Sequence, residues 1–529
     1  MSNNKFKLIA KTFQGVEEEL ATEISQLGGE DITIGKRMVS FMGDKELMYR
    51  ANFFCRTALR ILKPIYTFEA NNTDELYEKV KEYNWSEILS PKSTFTIDSV
   101  VNSDEFRNSR FVTYRVKDAI VDYFTEKGKD RPSVRLTNPD VYINIHISHN
   151  ECTVSLDSSG ESLHKRGYRV AQTEAPINEV LAAAMLLKAG WNGESDFVDP
   201  MCGSGTILIE AALIATNTAP GLYRQGYAFE KWNDFDAELL EEIYNDDSQE
   251  RDFNYKIIGA DINPQVIEVA RANVKGAGME RYITLETRSI QRWEEAPQNS
   301  MMVTNPPYGE RLKPRDLEDI YAALGEKLKH IFTGCNAWII SSSREGFDKI
   351  GLKPSQKIKM MNGSLECELR EYQIFGGTYS QHKKDIAEGR KEARRERKAP
   401  RKDGFKREFE KKDKEKKSYR FDDRKAPKQT EQKPKGKGGK FASEKRVKPA
   451  PKPVETFERG KRELHGDEFV SKFVTFRQPT MIDDKATENK QFRKRKNKDA
   501  GHGELQPLAW RHKHGARQRP SGGEAFPQG

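Results

Sequence analysis

The chain has little of what would mark a secreted, membrane-spanning or metal-binding protein. Its 529 residues include five cysteines, Cys55, Cys152, Cys202, Cys335 and Cys367, an odd and scattered set. No two of them have the close spacing of a zinc-binding pair, so no metal is expected. Reduced thiols in a cytoplasmic protein are the simplest expectation. No window approaches the ~18 continuous apolar residues that a membrane span needs. No apolar run follows the opening Met1–Lys7 segment, so no secretory leader is read there. Large aliphatic residues are almost missing from 383–446. Such a stretch cannot bury enough surface to offset its ordering entropy, and it is expected to be disordered. One apolar island, Phe469–Phe476, interrupts the last part of the chain.

Positive charge is unevenly spread. The net charge is +9, yet residues 381–529 hold 45 Lys and Arg against 24 Asp and Glu, while residues 1–380 hold 45 against 57. The first 380 residues are therefore acidic, at −12, and the basic excess lies in the tail.

Residues 1–165 mix helix and strand signals. Leu47, Met48, Ala51, Phe54, Cys55, Ala58, Leu59 and Leu62 are spaced as one helical face within 41–62, and 93–101 reads as a strand. A helix is expected over 111–124. Strict alternation at Val141, Ile143, Ile145 and Ile147, then at Cys152, Val154 and Leu156, predicts a hairpin. Residues 166–378 alternate strand and helix as a parallel sheet requires. Pro176 is expected to open a helix through Leu187, and Asn362-Gly363 to join two final antiparallel strands.

Three motifs in this second region carry chemistry. Asp199-Pro200-Met201-Cys202-Gly203-Ser204-Gly205-Thr206 ends a strand and opens a helix. Its two glycines allow a sharp turn and close approach to a ligand. It lacks the third glycine of a dinucleotide loop and any following Gly-Lys-Ser/Thr, so a nucleotide-like ligand without a pyrophosphate is favoured. In Gly259-Ala260-Asp261-Ile262, the strand-end carboxylate is placed to accept hydrogen bonds from a ribose diol. The unusually long interval between the two motifs holds an inserted stretch, 217–254, with an acidic helical segment at 236–244. Finally, Asn305-Pro306-Pro307-Tyr308 follows the strand at 301–303. The prolines stiffen the loop. The Asn305 amide oxygen and the Pro306 carbonyl can accept from one amino group, and Tyr308 offers a flat face to a base.

Together these motifs resemble the class I S-adenosylmethionine-dependent methyltransferases, in particular the amino-methylating group with an Asn/Asp-Pro-Pro-Tyr/Phe loop. The resemblance implies that Cys202, Gly203 and Gly205, with Asp199 and Thr206 of the same loop, hold the methionine part of the cofactor. It assigns the ribose to Asp261 beside Ile262, and catalysis to Asn305, Pro306, Pro307 and Tyr308. Pro176 and Asn178 resemble the group's cofactor-side helix start. A carboxylate often found near 287–290 is missing, and backbone groups or Ser289 take over the adenine contact. Leu156–Arg169 looks like the junction that follows a THUMP domain, and the whole of 1–378 is similar to the RlmL/YpsC-type 23S rRNA guanine-N2-methyltransferases. The fold implied is a Rossmann-like parallel sheet with a terminal antiparallel hairpin (166–378), preceded by a ferredoxin-like α+β unit (1–60) and a THUMP domain (61–160), and followed by a disordered basic tail (379–529). The partner implied is 23S ribosomal RNA, free or in assembly intermediates, with Arg110, Arg115, Lys117, Lys165, Arg166 and Arg169 as contacts. A tRNA guanine-N2 enzyme, an adenine-N6 methyltransferase and a non-catalytic ribosome-assembly factor remain alternatives at this point.

If the tail covers about six phosphates, affinity for rRNA will fall with a log–log salt slope of about −5. Deleting 381–529 is expected to flatten that slope. Titrations of the full and shortened chains across a salt series check this, and equal slopes would exclude the tail from RNA binding.

Overall fold

The computed structural model describes residues 5–128, 130–173, 176–308 and 314–375. The basic tail and the 469–476 island lie outside these residues. All five cysteines are free and buried. Among the described residues, no helix is long and apolar enough to cross a membrane.

The first half builds one sheet. It contains β1 (Phe6–Lys11), α1 (Glu17–Gln26), β2 (Glu30–Gly35), β3 (Met38–Gly43), α2 (Lys45–Phe54), β4 (Arg60–Glu69), α3 (Thr73–Glu82), β5 (Thr94–Asn102), α4 (Ser109–Glu126), β6 (Ser133–Val134), β7 (Val141–Ser148) and β8 (Glu151–Asp157). The strands run in the order β2-β3-β1-β4-β8-β7-β5-β6. Strand β4 pairs with β1 on one side and β8 on the other, so the two expected units share a single sheet with two separate cores beneath it. The helix expected across 41–62 occupies only 45–54. Asp44 caps it by accepting from the Leu47 amide, and the remaining apolar positions, Cys55, Ala58, Leu59 and Leu62, belong to a loop and β4.

The second half contains α5 (Glu179–Lys188), β9 (Phe197–Asp199), α6 (Thr206–Ala215), α7 (Ala237–Asn245), β10 (Ile257–Asp261), α8 (Pro264–Gly276), β11 (Ile283–Thr287), β12 (Met301–Thr304), α9 (Pro314–His330), β13 (Asn336–Ser341), α10 (Arg344–Lys349), β14 (Gln356–Asn362) and β15 (Leu365–Gln373). Its sheet runs β11-β10-β9-β12-β13-β15-β14, parallel through β13 and closed by an antiparallel hairpin. The chain reverses its direction of strand addition between β9 and β12, where sheets of this kind bind ligands at their carboxyl edge. Helix α5 starts at Glu179, capped by Asn178, rather than at Pro176. The Asn178 side chain accepts from the Val180 and Leu181 amides, satisfying donors that an uncapped helix leaves open.

The inserted stretch is an arm that grips the first half. Its Phe229 stacks on Tyr49 with centroids 4.1 Å apart, and Leu240 and Ile243 of α7 join the core of α2. From the other side, Val16 enters the core of the second half and Glu19 meets Lys188 at 2.7 Å.

Arg166, expected at an RNA surface, is 2% exposed. It lies between the halves, pairs with the fully buried Glu210 and donates to the carbonyls of Leu163 and Arg56. The Tyr168 hydroxyl donates to the same carboxylate at 2.9 Å. A charge this deep persists only with such partners. Arg166→Met should therefore destabilise the protein by about 3–5 kcal/mol by leaving Glu210 without its cation. Adding Glu210→Met should restore much of the loss. Urea unfolding of both variants measures it.

Candidate functional site

The carboxyl edge of the second sheet opens into a cavity of about 310 Å³. Four strand ends build its walls. Cys202, Gly203, Ser204 and Thr206 come from the loop after β9, Asp261 and Ile262 from the end of β10, Ser289 and Ile290 from the turn after β11, and Asn305 and Pro307 from the loop after β12. Pro176 and Ile177, from the segment before α5, also line it. The three sequence motifs, far apart in the chain, thus meet around one space.

The glycine loop is held at several points. Gly203 has φ +53 and Gly205 φ +82, left-handed conformations that glycine adopts without strain. Gly205 does not border the cavity. A Cβ there would stand 3.3 Å from that of Ala270, so this glycine lets α6 approach α8. The Gly203 amide donates to Asp261 at 3.2 Å, and the other Asp261 oxygen accepts from the Asn263 amide at 2.9 Å. Asp261 is therefore oriented by backbone groups of its own turn and of the glycine loop. Ile262, 72% exposed, lays an apolar surface at the cavity rim. Burial pushes the Cys202 thiol well above its ordinary range, which keeps it neutral and inert.

Arg169, another expected RNA contact, stands behind the loop. It donates to Ser204 at 3.1 Å, Thr206 at 2.9 Å and Glu179 at 2.8 Å, and also to the Ile177 carbonyl. It braces both walls of the cavity from outside. Arg110 is exposed at the start of α4. Arg115 pairs with Asp74 at 2.7 Å and lies over the Tyr77 ring, Lys117 pairs with Asp118, and Lys165 pairs with Glu161 at 2.9 Å. Asn178 caps its helix and does not border the cavity. Arg288, Gln291 and Ile320 do border it, with no signal in the sequence to mark them.

Two polar atoms at the cavity are buried without a partner, Asp199 Oδ2 and Asn305 Oδ1. Such atoms are costly unless a ligand or water satisfies them. The other Asp199 oxygen accepts from Thr304 Oγ1 at 2.7 Å and from the Met201 amide at 3.2 Å. Burial raises the Asp199 carboxyl to about 7 despite these bonds. The sidedness, the nucleoside-scale space, the ribose-ready carboxylate and the unpaired Asp199 oxygen suit a ligand with a diol and a positive charge.

The Asp199 shift has a direction in stability. The unfolded carboxyl ionises near pH 4, while the folded one holds its proton to about 7, so stability falls as pH rises through that window. Asp199→Asn keeps the acceptor for Thr304 and removes the charge. Its stability gain over wild type should grow by about 2–3 kcal/mol between pH 5 and pH 8. Thermal unfolding without ligand at the two pH values checks this.

Comparison with known proteins gives the same division of the chain. Three family profiles match, an RlmL ferredoxin-like domain at 7–62, a THUMP domain at 70–157 and an RMKL-like methyltransferase domain at 166–371. The ribosomal RNA large subunit methyltransferase K/L of Syntrophotalea carbinolica is 39% identical over 381 residues, covering 70% of this chain and 53% of that protein. The chain thus spans about half the length of that relative. A Synechocystis sp. protein, slr0064, named provisionally as an RNA methyltransferase, is 37% identical over 369 residues, covering 69% of this chain and 96% of its own. The crystal structure of SMU.472, named provisionally as a methyltransferase and complexed with SAH, superposes with a TM-score of 0.64 at 31% identity, over 72% of this chain and 100% of that one. With its class I sheet, its THUMP region and the Synechocystis relative matched over nearly its full length, the chain belongs to the THUMP-containing, RlmL-type methyltransferases.

Proposed function

We propose that the protein transfers a methyl group from S-adenosylmethionine to the exocyclic N2 amine of a guanosine in 23S ribosomal RNA. The observation that carries this reading is the unpartnered, buried Asn305 Oδ1 on a diproline loop at the wall of the cofactor-sized cavity. An amino group of the target base is a donor that would satisfy it. The matched THUMP domain and the naming of the relatives for RNA methylation favour RNA over DNA as the source of that amine.

The cofactor supplies an electrophilic methyl on a sulfonium, so the protein need not generate a stronger nucleophile. Gly203, Asp261 and the bordering Ile262 are the residues that would hold its methionine, ribose and base. The Asp199 carboxylate offers a counter-charge to a cationic ligand.

A guanine amine is a poor nucleophile because its lone pair is conjugated into the ring. Accepting both N–H bonds at Asn305 Oδ1 and the Pro306 carbonyl draws them out of the ring plane and aims the lone pair at the cavity. The catalytic contribution is positioning plus charge stabilisation. To reach the loop the base must leave its stack, at a cost of about a few kcal/mol, less where the RNA is not duplex. The ring of Tyr308 is a platform for the extruded base. Basic residues of 381–529 add contacts to phosphate that read no sequence.

Mass spectrometry of rRNA and tRNA nucleosides from cells with and without the protein tests the substrate. Loss of one N2-methylguanosine from 23S rRNA is expected, and a loss confined to tRNA or to N6-methyladenosine would overturn the assignment. In vitro, Asn305→Ala should lose at least about a hundredfold in turnover while calorimetric affinity for S-adenosylmethionine changes little.

A further inference from the structure

Beyond the four-residue loop, one side chain of the terminal hairpin reaches it. Strand β13 ends at Ser341, opposite Glu368 of β15. The β14–β15 hairpin continues past that point through the pairs Met360–Cys367, Met361–Glu366 and Asn362–Leu365. Its tip therefore overhangs the carboxyl edge of the sheet, where the cavity opens. The loop there is Gly363-Ser364, with Gly363 at φ +62, so the closing residue Asn362 is still in the strand.

Partners in an antiparallel ladder and residues two apart in one strand share a face. Asn362, Leu365 and Cys367 therefore lie on one side of the hairpin. That side meets Tyr308. The Asn362 amide donates to the Tyr308 hydroxyl at 2.6 Å, and Cys367 Sγ stands 3.9 Å from the same oxygen. The Tyr308 ring packs on the core that contains Met360 and Cys367. Burial holds the phenol proton well above its usual range, so the hydroxyl stays neutral and the bond persists across the working pH range.

We propose that Asn362 is a positioning residue that locks the Tyr308 ring as the platform for the target base. The proposal rests on the nucleobase-methylating reading above. A platform works only in one orientation. Prolines 306 and 307 fix the backbone up to Tyr308 but not the rotation of its side chain. The ring's position is set at its far end, by the amide of a hairpin that lies 54 residues further on. Leu365, the ladder partner of Asn362, is 47% exposed on the same face of the hairpin.

The test uses the full chain, S-adenosylmethionine and an rRNA transcript. Asn362→Leu removes the bond at nearly constant volume, and Tyr308→Phe removes it from the other side. Each should lower kcat about tenfold or more with S-adenosylmethionine affinity within about twofold, because a displaced platform misplaces the acceptor and not the donor. The double variant should be no slower than the worse single one, and Asn362→Asp, which can accept from the hydroxyl, should recover most of the rate. Multiplying losses in the double variant would overturn the proposal.

A second readout needs no turnover. With 3-fluorotyrosine at position 308, the fluorine resonance should be single and narrow in the otherwise unaltered chain, and broadened or split in Asn362→Leu. An unchanged resonance would overturn the positioning role. If the unaltered protein methylates a nucleotide other than guanosine, the functional reading fails, while the coupling of Asn362 to Tyr308 is still scored on that nucleotide.

Discussion

The hydrogen bond from Thr304 to Asp199 holds together the two loops that flank the cavity after β9 and β12. Strands β9 and β12 pair only at Met301–Phe197 and Met302–Val198. Beyond those pairs they separate, and the gap between them becomes the cavity. The Thr304 hydroxyl crosses the gap to the last residue of β9. It fixes the loop proposed to carry the methyl donor against the loop proposed to present the acceptor. Because Asp199 is buried, the bond acts in a medium of low dielectric, where a misplaced polar group is expensive. The remaining Asp199 oxygen stays unpaired, so the cavity floor keeps a polar site ready for a ligand.

The junction between the halves is a second rigid element. Arg166 ties its chain to Glu210 of α6, and Arg169, three residues later, reaches the glycine loop that begins the same helix. The cavity wall is thereby mechanically continuous with the contact between the first half of the chain and the methyltransferase sheet. The insertion before β10 reinforces that contact through Phe229, Leu240 and Ile243. With these arginines committed inside an acidic first 380 residues, fewer cations remain on the surface to meet a phosphate backbone. Arg110 is one that is exposed.

What could be read from the sequence was whatever the backbone dictates locally. A strand followed by Gly-x-Gly, a strand ending in Asp and a strand ending in Asn-Pro-Pro-Tyr each declare their place, because only certain residues permit those turns. The alternating pattern of 141–156 was equally plain. Features set by distant contact were not. Arg166 and Arg169 look like surface cations, since nothing in their neighbourhood announces Glu210 or Glu179. The spacing across 41–62 fits a helix, but the same apolar positions serve a capped helix, a loop and a strand once the sheet forms. The grip of Asn362 on Tyr308 joins two motifs that were each legible, yet their meeting depends on how far the hairpin overhangs the sheet. The long interval before Asp261 had a length but no purpose until the arm was seen against α2.

The interval between the matched ferredoxin-like and THUMP segments, 63–69, looks like a linker on a domain map, yet it lies within β4, whose neighbours are β1 and β8. Shortened versions of the protein cut at that border would split a ladder down its middle and bare a raw edge on each fragment. Unpaired edges invite other chains, so such fragments would clump instead of reporting what either half binds. For anyone dividing this molecule, no cut inside the eight-stranded plate leaves its hydrogen-bond ladders whole, and the plate still draws part of its core from the arm of the second half.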